Sequence, residues 1–325
     1  MSLSNKYLKF IFIVVPITMV LALLTSPKPV STSEYVVGFV SRFGTDSKKA
    51  YMESTLDFYE PDTNWVFGER WGTATQPGIS GSSGILVDIN SGKVLFEKNS
   101  EQRLKIASLT KIMTAVVALE HKDPDSKIRV SEKAAGTGEN IMGITEGEVY
   151  TLEELMYGLL LPSGNDAAYA IAEGVAGSSD RFVEWMNFKA KELGLMNTYF
   201  ADPSGLDDTT YSTAQDLARL ARYAMKNPRF RSIVGTVDIE LPFTETHKYL
   251  PLYNQTNLLA TYPGVVGVKT GYTEEAGLTL VTYASNEGYE LVGVVLNSTD
   301  RKGDMVLMLD HGYGTVGVAI EHNLL

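Results

Sequence analysis

The chain has 325 residues, with 28 lysines and arginines against 39 aspartates and glutamates, a net charge of −11. It contains no cysteine, which excludes disulfides, thiolate metal sites and a thiol nucleophile. Its four histidines form no H-E-x-x-H pattern and the acidic balance offers no basic stripe, which argues against a zinc hydrolase and a nucleic-acid binder. A hydrophobic content of 44% fits a globular protein with a real core.

The chain opens with a basic and then apolar leader. Lys6 and Lys9 precede the uncharged run Phe10 to Leu24, and the first acid is Glu34. A positive stretch followed by an apolar run of this length reads as a secretory signal. A spanning helix needs ~20 apolar residues, with about 17 tolerated, so an uncleaved anchor is the equal alternative. Residues 1–26 are therefore a signal peptide or N-terminal membrane anchor, and either places the rest outside the cytoplasmic membrane. Three of the 28 bases and no acid precede Glu34, so the remainder carries 25 bases against 39 acids, a balance of −14. Residues 27–78 form an extension of unknown role. Its nine aromatics (Tyr35, Phe39, Phe43, Tyr51, Phe58, Tyr59, Trp65, Phe67 and Trp71) are too many for a flexible linker and predict packing on the main domain or a partner.

From residue 79 to 325 the pattern is that of one α/β domain. Ile85 to Val87 and Val94 to Phe96 read as strands joined by the turn Asn90-Ser91-Gly92. Ser108 to about His121 is an almost wholly apolar helix, expected to be buried. Thr151-x-x-Glu154 is a capping box for a helix to about Leu161, broken by Pro162-Ser163-Gly164, with a second helix from about Asn165. Asp180 is expected to cap a third helix ending near Gly194, and Ser212 a fourth ending before Pro228. Strands follow at Val265 to Lys269, Leu278 to Ala284 and Leu291 to Leu296, then a closing helix from about Asp304 to Asp310.

Three short motifs carry chemistry. Ser108-Leu109-Thr110-Lys111 puts a hydroxyl and an amine on one helical face. A serine becomes a strong nucleophile only when a neighbouring base takes its proton. Burial among Ile106, Ile112, Met113 and Val116 would lower the lysine into that role. Ser163-Gly164-Asn165 lies in a break between helices, where Ser163 can pass a proton and Asn165 can hold a substrate amide. Lys269-Thr270-Gly271 lies at the end of a predicted strand, whose edge can align a peptide by backbone pairing. Each motif alone also suits an ordinary helix start, cap or strand end.

Their order, spacing and element types agree with the S-x-x-K, S-D-N and K-T-G set of serine β-lactamases and penicillin-binding proteins. The chain resembles the serine-type D-alanyl-D-alanine carboxypeptidases, the low-molecular-mass penicillin-binding proteins, from about Gly84 to Tyr313. Further carriers are Leu159-Leu160-Leu161-Pro162-Ser163-Gly164-Asn165-Asp166, Leu193-Gly194-Leu195-Met196-Asn197-Thr198 and Tyr262-Pro263-Gly264-Val265. The resemblance implies a β-lactamase/transpeptidase-like α/β (α+β) fold, an antiparallel sheet flanked by helices with an all-helical subdomain. It implies Ser108 as nucleophile, Lys111 as general base and Ser163 as proton relay. Asn165, Lys269, Thr270, Gly271 and Arg301 would bind substrate, and the backbone N–H groups of Ser108 and Tyr272 would form the oxyanion hole. The implied substrate is a peptidoglycan stem peptide, with β-lactams as covalent inhibitors and no metal or cofactor. A D,D-endopeptidase is the nearest alternative. A β-lactamase lacks its deacylating E-x-x-L-N loop here, and a non-catalytic sensor is at odds with the intact serine and lysines. Asp202-Pro203-Ser204-Gly205-Leu206 stands where the family has Asn-Pro-x-Gly-Leu, and is expected to be structural.

Overall fold

The computed structural model describes residues 45–55, 65–70 and 76–324. The leader or anchor expected at 1–26 lies outside them, as do Tyr35, Phe39, Phe43, Phe58, Tyr59 and Trp71. Among the described residues no helix is long and apolar enough to cross a membrane. The chain divides after Lys48 into two compact units, a boundary crossed by helix α1 (Thr45–Ser54). The second unit, Lys49–Leu325, carries everything that follows.

A five-stranded antiparallel sheet forms from β1 (Ser83–Asp88), β2 (Val94–Lys98), β9 (Val265–Thr273), β10 (Gly277–Asn286) and β11 (Tyr289–Ser298). Its order is β2-β1-β11-β10-β9, which leaves β9 at an edge. The central strands are nearly continuous buried apolar runs because both faces are covered. Helix α9 (Arg301–Thr315) covers one face, where Met305, Val306, Met308 and Leu309 pack with Leu86, Leu280, Leu291 and Val295. Gly293 lets Met305 approach, since a Cβ there would lie 2.5 Å from its sulfur. Alternate residues of the pleat, Ile85, Val87, Val292 and Val294, are buried on the other side, where α7 (Ala214–Lys226) meets β1, β10 and β11.

The helical part lies between β2 and β9 in sequence. It comprises α2 (Thr110–His121), α3 (Glu132–Ala135), α4 (Leu152–Leu160), α5 (Asn165–Ala176), α6 (Ser179–Glu192), α7 and α8 (Pro228–Val234). Three two-stranded ribbons accompany it: β3 (Leu104–Lys105) with β6 (Tyr211–Ser212), β4 (Lys127–Arg129) with β5 (Val149–Thr151), and β7 (Asp238–Leu241) with β8 (Leu250–Tyr253). Helix α2 is buried along its whole length and packs on α4, α5, α6 and α7. It is the central post of this part, as its apolar pattern requires.

Several expected element ends are corrected. The capping box at Thr151 and Glu154 forms. The cap of α6 is Ser178, not Asp180, because the Ser178 hydroxyl accepts from the Arg181 N–H. The cap of α7 is Thr213, not Ser212. The closing helix begins at Arg301, capped by Asp300, and runs to Thr315 rather than spanning only 304 to 310. Strand β9 runs on to Thr273, so Lys269-Thr270-Gly271 lies inside the strand instead of ending it.

Part of the aromatic extension packs on this unit. Tyr51 is buried edge-on against Trp185 and Phe188, and its hydroxyl donates to Glu192 at 2.9 Å. Trp65 is buried beneath the guanidinium groups of Arg219 and Arg222, with Nε1 donating to the Ile89 carbonyl.

Candidate active site

Ser108 sits in a 3-10 turn (Ala107–Leu109) that leads into α2. The turn is tight: Ala107 has a φ of +50°. Its carbonyl is approached so closely by Gly205 that a Cβ there would lie 2.0 Å from the oxygen. Glycine, at a φ of +83°, is the residue that fits.

One helical turn on, Lys111 is fully buried, with Ile106, Ile112 and Met113 inaccessible and Val116 nearly so. Its Nζ donates to Ser108 Oγ at 2.9 Å, Asn165 Oδ1 at 2.7 Å and the Ser204 carbonyl at 2.8 Å. None of the three acceptors is a carboxylate. Burial pulls this ammonium down to about 7, against the opposing pull of Asp202, Asp166 and Glu139. A substantial fraction of Lys111 is therefore neutral near neutrality and can accept the Ser108 proton.

Ser163 occupies the break between α4 and α5 at a φ of +65°. Its side chain is buried, yet its hydroxyl has no hydrogen-bond partner among the described residues. A strained residue with an orphaned buried hydroxyl is the kind of local cost that accompanies a functional role. Gly164 beside it admits no side chain: a Cβ would lie 2.8 Å from the Gly158 carbonyl, the Met142 nitrogen and Asp166 Oδ1. The aspartate that serine β-lactamases carry at this motif position has no room here. Asn165 opens α5, and besides accepting from Lys111 it donates through Nδ2 to the Gly138 carbonyl at 3.0 Å.

Edge strand β9 brings the third motif alongside. Lys269 is buried, and its Nζ donates to the Thr270 carbonyl at 3.0 Å. Burial first, then the nearby charges of Lys111 and Arg301, hold this ammonium well below its ordinary value. Gly271 abuts the nucleophile's turn. A Cβ there would lie 3.0 Å from the Ser108 nitrogen and 2.5 Å from Thr279 Oγ1. The backbone N–H of Ser108 and the Gly271-Tyr272 backbone thus share one patch, while the Tyr272 side chain is 61% exposed. Arg301 is the first residue of α9, and its guanidinium donates to the Gly271 carbonyl at 2.8 Å. A cation at a helix N-terminus is electrostatically unfavourable. The position is explained by the strand it holds, not by the helix it starts.

The residues expected from sequence fall on the 3-10 turn before α2, on α2, the α4–α5 break, α5, β9 and the start of α9, with Lys111 joining Ser108 to Asn165, Gly271 against Ser108 and Arg301 on Gly271. Sequence reasoning missed the backbone participants. The Ser204 carbonyl belongs to the Asp202-to-Leu206 stretch expected to be merely structural, and it binds Lys111 directly. Asp202 is buried and accepts from the Ser204 and Asp207 backbone N–H groups, both at 2.7 Å, and from that of Gly205, which shapes this turn. The signal available was the glycine after Ser204, whose φ the turn demands.

A buried lysine on a serine at a helix start, an inter-helix Ser-Gly-Asn and an edge-strand Lys-Thr-Gly, set between an antiparallel sheet and a helical part, define a serine-type peptidase of the β-lactamase/transpeptidase-like class. The D-alanyl-D-alanine carboxypeptidase family model matches residues 71–300. D-alanyl-D-alanine carboxypeptidase DacF of Bacillus subtilis is 40% identical over 240 residues, 71% of this chain and 61% of that protein. The chain thus spans about three-fifths of that relative's length. A Streptomyces D-alanyl-D-alanine carboxypeptidase is 34% identical over 259 residues, 74% of this chain and 89% of that protein. The crystal structure of a Streptomyces DD-transpeptidase superposes with a TM-score of 0.69 at 33% identity, covering 74% of this chain and all of that one. The chain belongs to the D-alanyl-D-alanine carboxypeptidase family of serine peptidases.

Proposed function

We propose that the protein removes the terminal D-alanine from peptidoglycan stem pentapeptides through an acyl-enzyme on Ser108. The observation that carries this reading is the 2.9 Å contact between Ser108 Oγ and the buried, weakly basic Lys111 Nζ. Neutral Lys111 takes the Ser108 proton as Oγ attacks the carbonyl carbon between the two D-alanines. The developing oxyanion is met by the backbone N–H groups of Ser108 and Tyr272; losing one such donor typically costs about 10²–10³ in rate. The C–N bond then breaks, and the proton passes through the Ser163 hydroxyl to the departing amine. Water attacks the resulting ester, and Lys111 takes the water's proton as Ser108 Oγ leaves and is reprotonated. The Arg301 guanidinium, with the Lys269 amine and the Thr270 hydroxyl as further donors, meets the substrate's terminal carboxylate, and β9 offers its free edge to the peptide backbone. Penicillins acylate the same serine in this reading. The basic and apolar leader supports work on the outer side of the cytoplasmic membrane, by secretion or by anchoring.

A second reading is favoured by the Streptomyces structural relative, a DD-transpeptidase: the acyl group would pass to an amine instead of water. A D,D-endopeptidase would apply the same acyl chemistry to cross-links. Mass spectrometry separates the three. The purified protein is incubated with a pentapeptide muropeptide, alone, with an acceptor amine, and with a cross-linked dimer. Loss of one D-alanine from the monomer is expected. A new peptide bond without hydrolysis would favour transpeptidation, and cleavage of the dimer alone would overturn the carboxypeptidase reading.

A further inference from the structure

Asp166 is buried, at 1% exposure, immediately after Asn165, and among the described residues no cation contacts its carboxylate. Its carboxylate is instead surrounded by backbone donors. Oδ1 accepts from Met142 N–H at 2.8 Å and from Ala167 N–H at 2.8 Å. Oδ2 accepts from Gly143 N–H at 2.8 Å and Ile144 N–H at 3.1 Å. Three of these four donors belong to one segment, 138–144. The same segment accepts from the Asn165 N–H through the Asn140 carbonyl at 2.8 Å, and from Asn165 Nδ2 through the Gly138 carbonyl. An Asn side chain has a donor end and an acceptor end, and which faces where is set by its partners. Here the Gly138 carbonyl takes the donor end, which leaves Oδ1 to face Lys111 Nζ.

We propose that Asp166 is a positioning residue for acylation: by holding segment 138–144 against α5, it keeps the Gly138 carbonyl on Asn165 and so keeps the Asn165 oxygen on Lys111. This rests on the acyl-enzyme reading of the cleft above. The groups that bear on Lys111 come from every side of it: Asp166 on α5, Asp202 on the turn before Ser204, Glu139 on the segment itself and Lys269 on β9. Releasing the segment would let the Asn165 amide turn its donor end to the amine and would free Glu139 to move away. Both changes favour neutral Lys111, as does loss of the Asp166 charge, so all three act with one sign.

The test is Asp166→Asn. Each carboxylate oxygen accepts two N–H donors, so an amide NH₂ at either position faces donors, and no rotamer of asparagine restores the set. The second-order rate of acylation by a fluorescent penicillin is followed from about pH 5 to pH 9, alongside the wild type. The expected result is a fall of about tenfold or more at the plateau, with the rising limb of the profile displaced to lower pH by about half a unit or more. A purely architectural role would reduce the active fraction equally at every pH and leave the limb in place, and that result overturns the proposal.

Gly143→Ala attacks the same contact from the segment's side and guards against poor folding of the first variant. Gly143 has a φ of +95°, and a Cβ there would meet only Leu250 Cδ2, at 3.8 Å, so the cost falls on the backbone of the segment. It should lower the rate and move the limb in the same direction; wild-type behaviour would count against the proposal. An unlabelled wild-type protein would refute the acyl-enzyme reading itself, whereas a labelled wild type with an unmoved limb in both variants refutes only the role of Asp166.

Discussion

Among the described residues, lysine is buried in two places, and its charge is treated differently in each. On α6, Lys189 is surrounded by opposite charge: its Nζ lies 2.9 Å from Glu120 and 3.1 Å from Glu192, with the Tyr223 hydroxyl at 2.9 Å. Tyr223 and Tyr51 donate to these carboxylates in turn. In the cleft, Lys111 and Lys269 are equally buried, but their hydrogen-bond acceptors are a hydroxyl, a side-chain amide and backbone carbonyls. A buried ammonium without a contacting carboxylate loses hydration that nothing returns, and its proton becomes easy to remove. The first arrangement suits architecture. The second suits a base. The difference lies in the partners and not in the depth of burial.

The largest consequence is in catalysis. Lys111→Arg keeps a cation beside Ser108 but cannot deprotonate, so acylation by a fluorescent penicillin should fall by about 10³-fold or more. Retention of most of the rate would break the distinction, because a charged group would then serve as well as a neutral one. Removing the paired lysine should instead strike stability. Lys189→Met leaves Glu120 and Glu192 without their cation and should cost about 3–5 kcal/mol in urea unfolding. Gly271→Ala comes next: its Cβ presses on the Ser108 nitrogen and Thr279, and acylation should drop by about 10²-fold with the fold retained, as circular dichroism would check.

The smallest effect on stability has the opposite sign. Lys269→Met should abolish turnover yet stabilise the protein by about 1–2 kcal/mol at neutral pH, since it removes a buried amine held by a backbone carbonyl and not by a carboxylate. Linkage gives the same sign for the other lysine of the cleft. Lys111 falls from 10.5 in the unfolded chain to about 7 in the fold, so the unfolded chain binds more protons between these values. This cost to stability is full below about pH 7 and vanishes above about 10.5, and stability from this source rises with pH across that window. A destabilised Lys269→Met variant would show that the two lysine sites are alike after all.

Much of this was legible in the amino-acid sequence. Hydrophobic runs marked the sheet strands and α2, and the capping box marked α4, because burial and capping leave side-chain signatures. Ser108, Lys111, Ser163, Asn165 and Lys269 could be named because three motifs in one order constrain each other. Other features had no such signature. The carbonyls of Ser204 and Gly138 are backbone atoms, which any residue supplies. Neighbouring cap-formers, Ser178 with Asp180 and Ser212 with Thr213, compete locally, and tertiary packing chooses between them. Thr270-Gly271 resembled a strand end, although an edge strand against Ser108 requires that glycine. Helix α9 was underestimated because Gly303, Gly312 and Gly314 weaken its helical pattern, while packing on the sheet sustains it. Part of the aromatic extension was rightly expected to pack, as Tyr51 and Trp65 do.

The most direct test of the cleft's chemistry is the pH profile of Ser108 acylation by a fluorescent penicillin, with the labelled residue identified by peptide mass spectrometry. The label should fall on Ser108, vanish in Ser108→Ala, and form at a rate that rises with pH through a midpoint near Lys111's value of about 7. Labelling at another residue, or a rate that stays flat across that range, would contradict the assignment of a buried, neutral Lys111 as the base.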